Sequence, residues 1–441
     1  MKPGKTRSPR ASTTSSAALG RIFPTRAIRS PSTSTSARPV LRAVITIPSF
    51  IRTLISPPRL KVKGSIVLPQ NAWTGGTVEA QSVCVRELLD LSPEELQGYF
   101  ASLGEPRYRA RQVFEWAWKH LVWDFSRMTN LPVSLRERLA QEFTIGAVTP
   151  GATLVDAEEG TEKVLLVLQD REAIETVLMR EGNRRTVCIS TQVGCPIGCA
   201  FCATGRMGFR RNLTPGEIAL QVLFFARKLK EEGERVTHVV VMGMGEPLLN
   251  YEATLKAIRN LNHPWGLNLG ARRFTVSTVG IVPGILRLSR EGLQLNLAIS
   301  LHAPWDDLRA ELVPVARKYP IREVLAAAEA YVRATKRRIT YEYVLIAGVN
   351  DSPAAARALA RLLRGKLAHV NLIPFNPAPG LPFRRPAPAA VETFKRELLA
   401  KGIDVTVRYS RGIRIQAGCG QLRARVYGAP RGGLSPTHGE L

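Results

Sequence analysis

Cys195-Pro196-Ile197-Gly198-Cys199-Ala200-Phe201-Cys202 decides how this chain is read. Three thiols fall within eight residues in the spacing Cys-x3-Cys-x2-Cys, and that density on one short loop points to metal chemistry. A [4Fe–4S] cluster normally takes four cysteines, so three leave one iron open to an outside ligand. The amine and carboxylate of an amino-acid moiety can chelate that iron. The competing metal is zinc, with Cys188 as fourth ligand in Cys188-x6-Cys195-x3-Cys199-x2-Cys202. Structural zinc favours paired short knuckles, and no His stands near this loop. A plain trio of buried thiols is the third reading. The iron–sulfur assignment fits the spacing best.

Downstream of the loop the pattern alternates between helix and strand. Helix Pro215–Glu232 precedes strand Val236–Met242, and helix Tyr251–Leu261 precedes strand Arg273–Ser277. Helix Val282–Arg290 precedes strand Gln294–Ser300, and a helix near Ile321–Thr335 precedes strand Ile339–Leu345. Helix Pro353–Gly365 precedes strand His369–Ile373, and helix Ala389–Lys401 precedes strand Asp404–Tyr409. Repeated βα units predict an α/β fold built on a parallel barrel or part of one. Chemistry in such folds sits where strands end. The strand-end motifs are Gly243-Met244-Gly245-Glu246-Pro247, Ser277-Thr278, Ser300-Leu301-His302 and Pro374-Phe375-Asn376. In the first, glycines let backbone approach a ligand and Glu246 can bind an ammonium.

Upstream, Lys163–Gln169, Ile174–Arg180 and Arg185–Ile189 read as an antiparallel meander from their β-branched content and charged turns. Before it lies a small helical accessory domain. Ser92-Pro93-Glu94-Glu95 places a cap, a Pro at the first helical position and a Glu three residues after the cap. A second helix runs from about Pro106 to His120, where Phe114, Trp116 and Trp118 alternate with cations. Such aromatics either stack on bases or form core. The expected organisation is a disordered basic tail over 1–84, the helical domain over 85–150 and a meander linker over 151–180. A core domain over 181–425 and a flexible tail over 426–441 complete it.

The net charge is +26, and half of it belongs to residues 1–78, which hold 13 Lys and Arg and no acid. A surplus that survives removal of the tail favours a polyanionic partner, most simply nucleic acid; the plain alternative is a solubility charge. The tail is rich in Ser, Thr, Arg and Pro, as an organelle transit peptide would be, or is translated sequence upstream of the true start. Six cysteines in 441 residues argue against a secreted disulfide scaffold. No run of 18 apolar residues exists, so no membrane span is expected.

The three-cysteine loop, with Phe201 between the last two thiols, resembles that of the radical S-adenosylmethionine enzymes. Adding Thr186–Cys195, Met242–Asn250, Ser300–Ala303, Leu372–Pro377 and Gly418-Cys419-Gly420-Gln421, the chain resembles the RlmN/Cfr family of RNA adenine methyltransferases over roughly residues 85–425. The resemblance implies a radical SAM partial (β/α) barrel with a [4Fe–4S] cluster on Cys195, Cys199 and Cys202. It implies cofactor contacts at Gly245, Glu246, Ser277, Ser300, Leu301, His302 and Asn376. It further implies that Cys419 is methylated by a first S-adenosylmethionine, while a second supplies the radical that activates that methyl group. Glu175 would remove a proton from the substrate. Cys188 would then form a disulfide with Cys419 and free the product. Two cofactor molecules are thus consumed per turnover.

The product expected is an adenine methylated at C2 in 23S rRNA and in tRNA, with C8 methylation as the family's other outcome. Arg206, Arg210, Arg211, Arg384, Arg385, Arg408, Arg411 and Arg414 are candidates to hold phosphates. An electron donor such as flavodoxin with its reductase, a monomeric state and a cytoplasmic location complete the expectation, or an organelle interior if the tail is a transit peptide.

Overall fold

The computed structural model describes residues 85–378, 380–409 and 420–427. The basic tail over 1–84, Arg411, Arg414, Cys419 and residues 428–441 lie outside the described residues. No helix among those described is long and apolar enough to cross a membrane.

Ten strands form the main sheet: β1 (Thr149–Asp156), β2 (Thr161–Val167), β3 (Ala173–Glu181), β4 (Arg184–Cys188), β5 (His238–Val241), β6 (Phe274–Thr278), β7 (Asn296–Ser300), β8 (Ile339–Leu345), β9 (Ala368–Pro374) and β10 (Val405–Val407). They lie side by side in chain order. From β4 to β10 every neighbouring pair is parallel. The pairs from β1 to β4 are antiparallel. Residues read as a linker therefore carry strands that extend the barrel sheet.

Several elements were not legible in the sequence, β1 and a short hairpin among them. β1 begins Thr149-Pro150-Gly151 and its pairing slips between Pro150 and Thr153. A proline is tolerated there because β1 is an edge strand, whose outer N–H groups need no partner. The hairpin, Gln192–Gly194 with Phe209–Asn212, closes the two ends of the cysteine loop. Three residues are too few to display a strand period.

The connecting helices carry the apolar face that covers the sheet. Helix Pro215–Glu231 is entered through a capping box: Thr214 Oγ1 accepts the Glu217 N–H, and Glu217 returns a carboxylate oxygen to the Thr214 N–H. The box expected at Ser92 is present too, ahead of helix Pro93–Ser102. The second accessory helix runs Tyr108–Phe114 and continues as a π turn over Glu115–Lys119. Phe114 and Trp118 stack at 5.0 Å between centroids and are buried, so these aromatics are core. Trp116 is half-buried, its indole N–H donating to Asn130 Oδ1 at 2.6 Å. At the other end, helix Gln421–Tyr427 includes the first two residues of the expected C-terminal tail.

The accessory domain docks on the barrel through close backbone approach. The Gly216 N–H donates to Asp90 Oδ1 at 2.8 Å, and Asn260 Nδ2 donates to the Leu91 carbonyl. A Cβ on Gly216 would stand 2.9 Å from Asp90 Oδ1 and 3.0 Å from the Asp90 backbone nitrogen. His263 and Trp265 set their ring edges against Phe114 across the same seam. Overpacking costs about 1–3 kcal/mol. Gly216→Val is accordingly expected to lower the unfolding free energy by that amount, read from a lower denaturant midpoint, and to expose residues 86–145 to limited proteolysis before the barrel.

Candidate active site

The cysteine loop is held at both ends and in the middle. Gly194 sits at φ +79°, and a Cβ there would run into the Gly208 carbonyl. That carbonyl accepts the Cys195 N–H at 2.9 Å. The Ala200 N–H donates to the Leu312 carbonyl, tying the loop to helix Asp306–Leu312. All three thiols are free and half-buried. Burial pushes Cys195 up to about 12, Cys199 well above the usual thiol range, and Cys202 upward as well. Such thiols give up their protons to a metal rather than to water. Among the described residues no group of three His, Cys, Asp or Glu is gathered closely enough to hold a single ion. Cysteines on a cubane bind separate irons and need no common point. The loop's donor set fits a [4Fe–4S] cluster.

Particular contacts join strand-end residues to this loop and to the hairpin that closes it. Gly245 adopts φ +104°, and a Cβ there would come within 2.8 Å of Gln192 N and 2.7 Å of its Cβ. Gln192 Oε1 then accepts the Glu246 N–H. Glu246 is buried; its carboxylate accepts the Leu248 N–H at 3.0 Å and the Val279 N–H at 2.9 Å. Burial pushes this carboxyl up to about 7, against the pull of those bonds. A carboxylate has about four lone-pair sites, so capacity for an ammonium is left. Ser277 Oγ and Ser300 Oγ lie 3.5 Å apart at the ends of β6 and β7.

Leu301 is fully buried and contributes a carbonyl to Arg309. His302 is a non-glycine residue at φ +60°, held there by two contacts. Its Nδ1 accepts the Val344 N–H, and its carbonyl accepts Asn350 Nδ2. The ring proton therefore sits on Nε2. Burial holds His302 neutral, down to about 3. Phe201 meets this ring edge to face at 4.8 Å, which joins the cysteine loop to the end of β7. Asn376 is half-buried just beyond β9.

On the meander side, strand register collects the remaining candidates. Val177 of β3 stands opposite Lys163 of β2 and opposite Cys188 of β4. Glu175 is two residues before Val177, so Lys163, Glu175 and Cys188 share one face of the sheet. Burial pushes the Cys188 thiol up to about 11. Glu175 is buried and Lys163 is fully buried, with Nζ 2.6 Å from Glu175 Oε2. The Gly420 N–H also donates to Oε2, at 2.8 Å, and the Arg423 N–H to Oε1, at 2.7 Å. A Cβ on Gly420 would press on Thr204, two residues past Cys202. Gly420 is the residue after Cys419. The solvent-facing alternative for Glu175 is thus excluded.

Sequence reasoning missed Lys163, Gln192 and Arg309. Lys163 alone carried a signal, a lysine within the otherwise apolar Lys163–Val167 run. Among the candidate cations, Arg211 is taken: it forks between Asp170 at 2.6 Å and Glu217 at 2.7 Å. Arg206 bonds the Gly380 carbonyl. Arg210 and Arg408 are exposed, Arg384 is exposed with its carbonyl bound by the Ala347 N–H, and Arg385 is half-buried with its guanidinium over the Tyr409 ring.

Comparison with known proteins agrees with this geometry. Residues 86–145 match the ribosomal RNA large subunit methyltransferase N-terminal domain, and residues 189–359 match the radical SAM superfamily. A probable dual-specificity RNA methyltransferase RlmN from Symbiobacterium thermophilum is 52% identical over 337 residues, 76% of this chain and 91% of that protein. Its counterpart in Thermotoga neapolitana is 48% identical over 77% of this chain and 98% of the relative. The crystal structure of a radical SAM methyltransferase from Sphaerobacter thermophilus is 54% identical, with a TM-score of 0.74 over 76% of this chain and 98% of its own. Membership of the superfamily implies S-adenosylmethionine and a [4Fe–4S] cluster, the group the loop fits. The chain belongs to the RlmN family of RNA methyltransferases and is a radical SAM enzyme.

Proposed function

We propose that this enzyme methylates C2 of an adenine in 23S rRNA, and also in tRNA, by way of a methyl group carried on Cys419. The observation that carries the reading is Gly420, hydrogen-bonded to Glu175 and packed against Thr204 of the cysteine loop. The residue after the methyl carrier thus meets both the base and the cluster loop, and Cys188 shares the base's sheet face. An amidine carbon such as adenine C2 is not nucleophilic, so direct polar transfer from a sulfonium fails and a radical route is required.

When bound, the cluster supplies the electron that cleaves S-adenosylmethionine and yields a 5′-deoxyadenosyl radical. Cys195, Cys199 and Cys202 would hold it. Glu246 would take the cofactor's ammonium, with Gly245 giving backbone access and Ser277, Ser300, Leu301, His302 and Asn376 shaping the pocket. Cys419 presents its methyl carbon, which after loss of a hydrogen bonds to C2. Glu175 removes the C2 proton. Cys188 attacks the Cys419 sulfur and forms a disulfide as the sulfur–carbon bond breaks; the freed carbon takes the Cys188 proton to become the methyl group, and the adduct's one unpaired electron passes to the external redox partner. An external reductant such as a flavodoxin system is part of the proposal, as are a monomer and a cytoplasmic setting. Arg210, Arg384, Arg385 and Arg408 are left to hold phosphates while the target base is drawn into the pocket.

The first test is the mass of the Cys419 peptide from enzyme purified anaerobically from cells. One added methylene on sulfur is expected, together with C2-methyladenosine in the modified RNA. An unmodified Cys419 in a protein holding iron and sulfide would overturn the carrier assignment, and C8-methyladenosine would overturn the regiochemistry.

The second test uses Glu246. Only its carboxylate attracts an ammonium, and its proton is half lost near pH 7. Cofactor binding below that pH must expel a proton. Affinity for S-adenosylmethionine should therefore fall as pH drops below 7, by about tenfold per unit at the limit. Equilibrium dialysis of reconstituted enzyme from about pH 5.5 to 8.5 measures the slope. Glu246→Gln is expected to bind more weakly and to lose this component of the slope.

A further inference from the structure

A buried ammonium is poor evidence for stability. Its desolvation is costly, and apolar replacements of a buried ion pair are often as stable. Lys163 is such a group, on β2 between the apolar residues of the sheet. What its ion pair provides is a fixed position for the Glu175 carboxylate. Both oxygens of that carboxylate are engaged: Oε2 by Lys163 Nζ and the Gly420 N–H, Oε1 by the Arg423 N–H. The Arg423 side chain adds a contact to Glu172 Oε2 at 2.5 Å, on the turn just before β3. One carboxylate therefore ties the start of helix Gln421–Tyr427 to the meander.

We propose that Lys163 is a positioning residue, which sets Glu175 to act both as the base and as the latch of the chain that follows Cys419. The proposal rests on the reading of Glu175 as base. Its consequence is an order of events. The proton that leaves adenine C2 comes to rest on a Glu175 oxygen and cancels the carboxylate charge. The ion pair to Lys163 and both amide bonds weaken together, because each was charge-assisted. The chain beside Cys419 is thus held until the base has acted. It loosens at the step where Cys188 must reach the Cys419 sulfur.

Amide hydrogen exchange at Gly420 and Arg423 in the full-length reconstituted enzyme tests this through a double-mutant cycle. Glu175→Gln mimics the protonated base and should raise exchange at both amides by about tenfold or more, with β8 unchanged. Lys163→Met should do the same in the parent, yet by less than about twofold in the Glu175→Gln background. An equal effect of Lys163→Met in both backgrounds, or none in the parent, would overturn the proposal. Should Lys163→Met strand a buried carboxylate and fail to fold, Lys163→Gln keeps a hydrogen-bond donor and is read by the same criteria. Exchange does not depend on methyl transfer, so an unmethylated Cys419 would sink the functional reading while leaving the latch measurable.

Discussion

The antiparallel pairing of β3 with β2 and β4 is the constraint on which the site depends. It sets Val177 between Lys163 and Cys188, and with it Glu175 on their face. Side chains alternate along a strand, so a slip of one residue in either pairing would turn a partner to the other side of the sheet. The register is defended by polar bonds as well as by apolar alternation. Thr176, pointing the other way, donates to the Cys188 carbonyl, and Ser190 Oγ donates to the Glu175 carbonyl. Ser190 also accepts the Met244 N–H, so the strand bearing Cys188 is fixed to the turn that carries Gly245 and Glu246. The meander and the parallel half thus meet as one rigid piece.

At the far end of the parallel strands, loops are held by buried polar side chains rather than by secondary structure. Arg309 is fully buried and donates to the carbonyls of Leu301, Tyr319 and Val279. Burial lowers it only to about 10, so it stays a cation at neutral pH. Asn350 does similar work between β7 and β8. It donates to the His302 and Val344 carbonyls and accepts the Ile346 N–H. Each of these groups is expensive to leave unpaired, so each admits few alternative loop conformations. That accounts for His302 sitting at positive φ, a strain that its surroundings over-determine.

How much of this was legible in the sequence follows from how local each signal is. Helix Ile321–Thr335 and strand Ile339–Leu345 fall where their periodicity placed them. Both are set by neighbours within a few residues. The cysteine spacing and the two isolated thiols were equally plain. β1 was missed because Pro150 and Gly151 argue against a strand unless the strand is at an edge, and edge position is a property of the whole sheet. Lys163 is a stronger case. Its partner is 12 residues away across a hairpin, and only the register makes the two meet. Arg309 has no local signature at all, since its acceptors are carbonyls on three separate loops. The Arg cluster after Cys202 misled in the opposite sense: Arg211 reads as a free cation in sequence and is forked between two acids in the fold.

The same contrast separates the two kinds of buried charge in this protein. Arg309 directs its hydrogen bonds to three backbone carbonyls, whose acceptance does not depend on a titrating group. Glu175 shares its oxygens among a cation and two amides that belong to a different segment of chain. Adding one proton leaves the first arrangement intact and dismantles the second. A base placed inside a structural contact turns a chemical event into a mechanical one without any additional moving part. The cost is that the contact must be rebuilt in every cycle, once the proton has left. Such a group is best buried beside a fixed positive charge, because the ammonium restores the carboxylate to the same position each time. The fully buried lysine on β2 meets that requirement, and a solvent-exposed one would not.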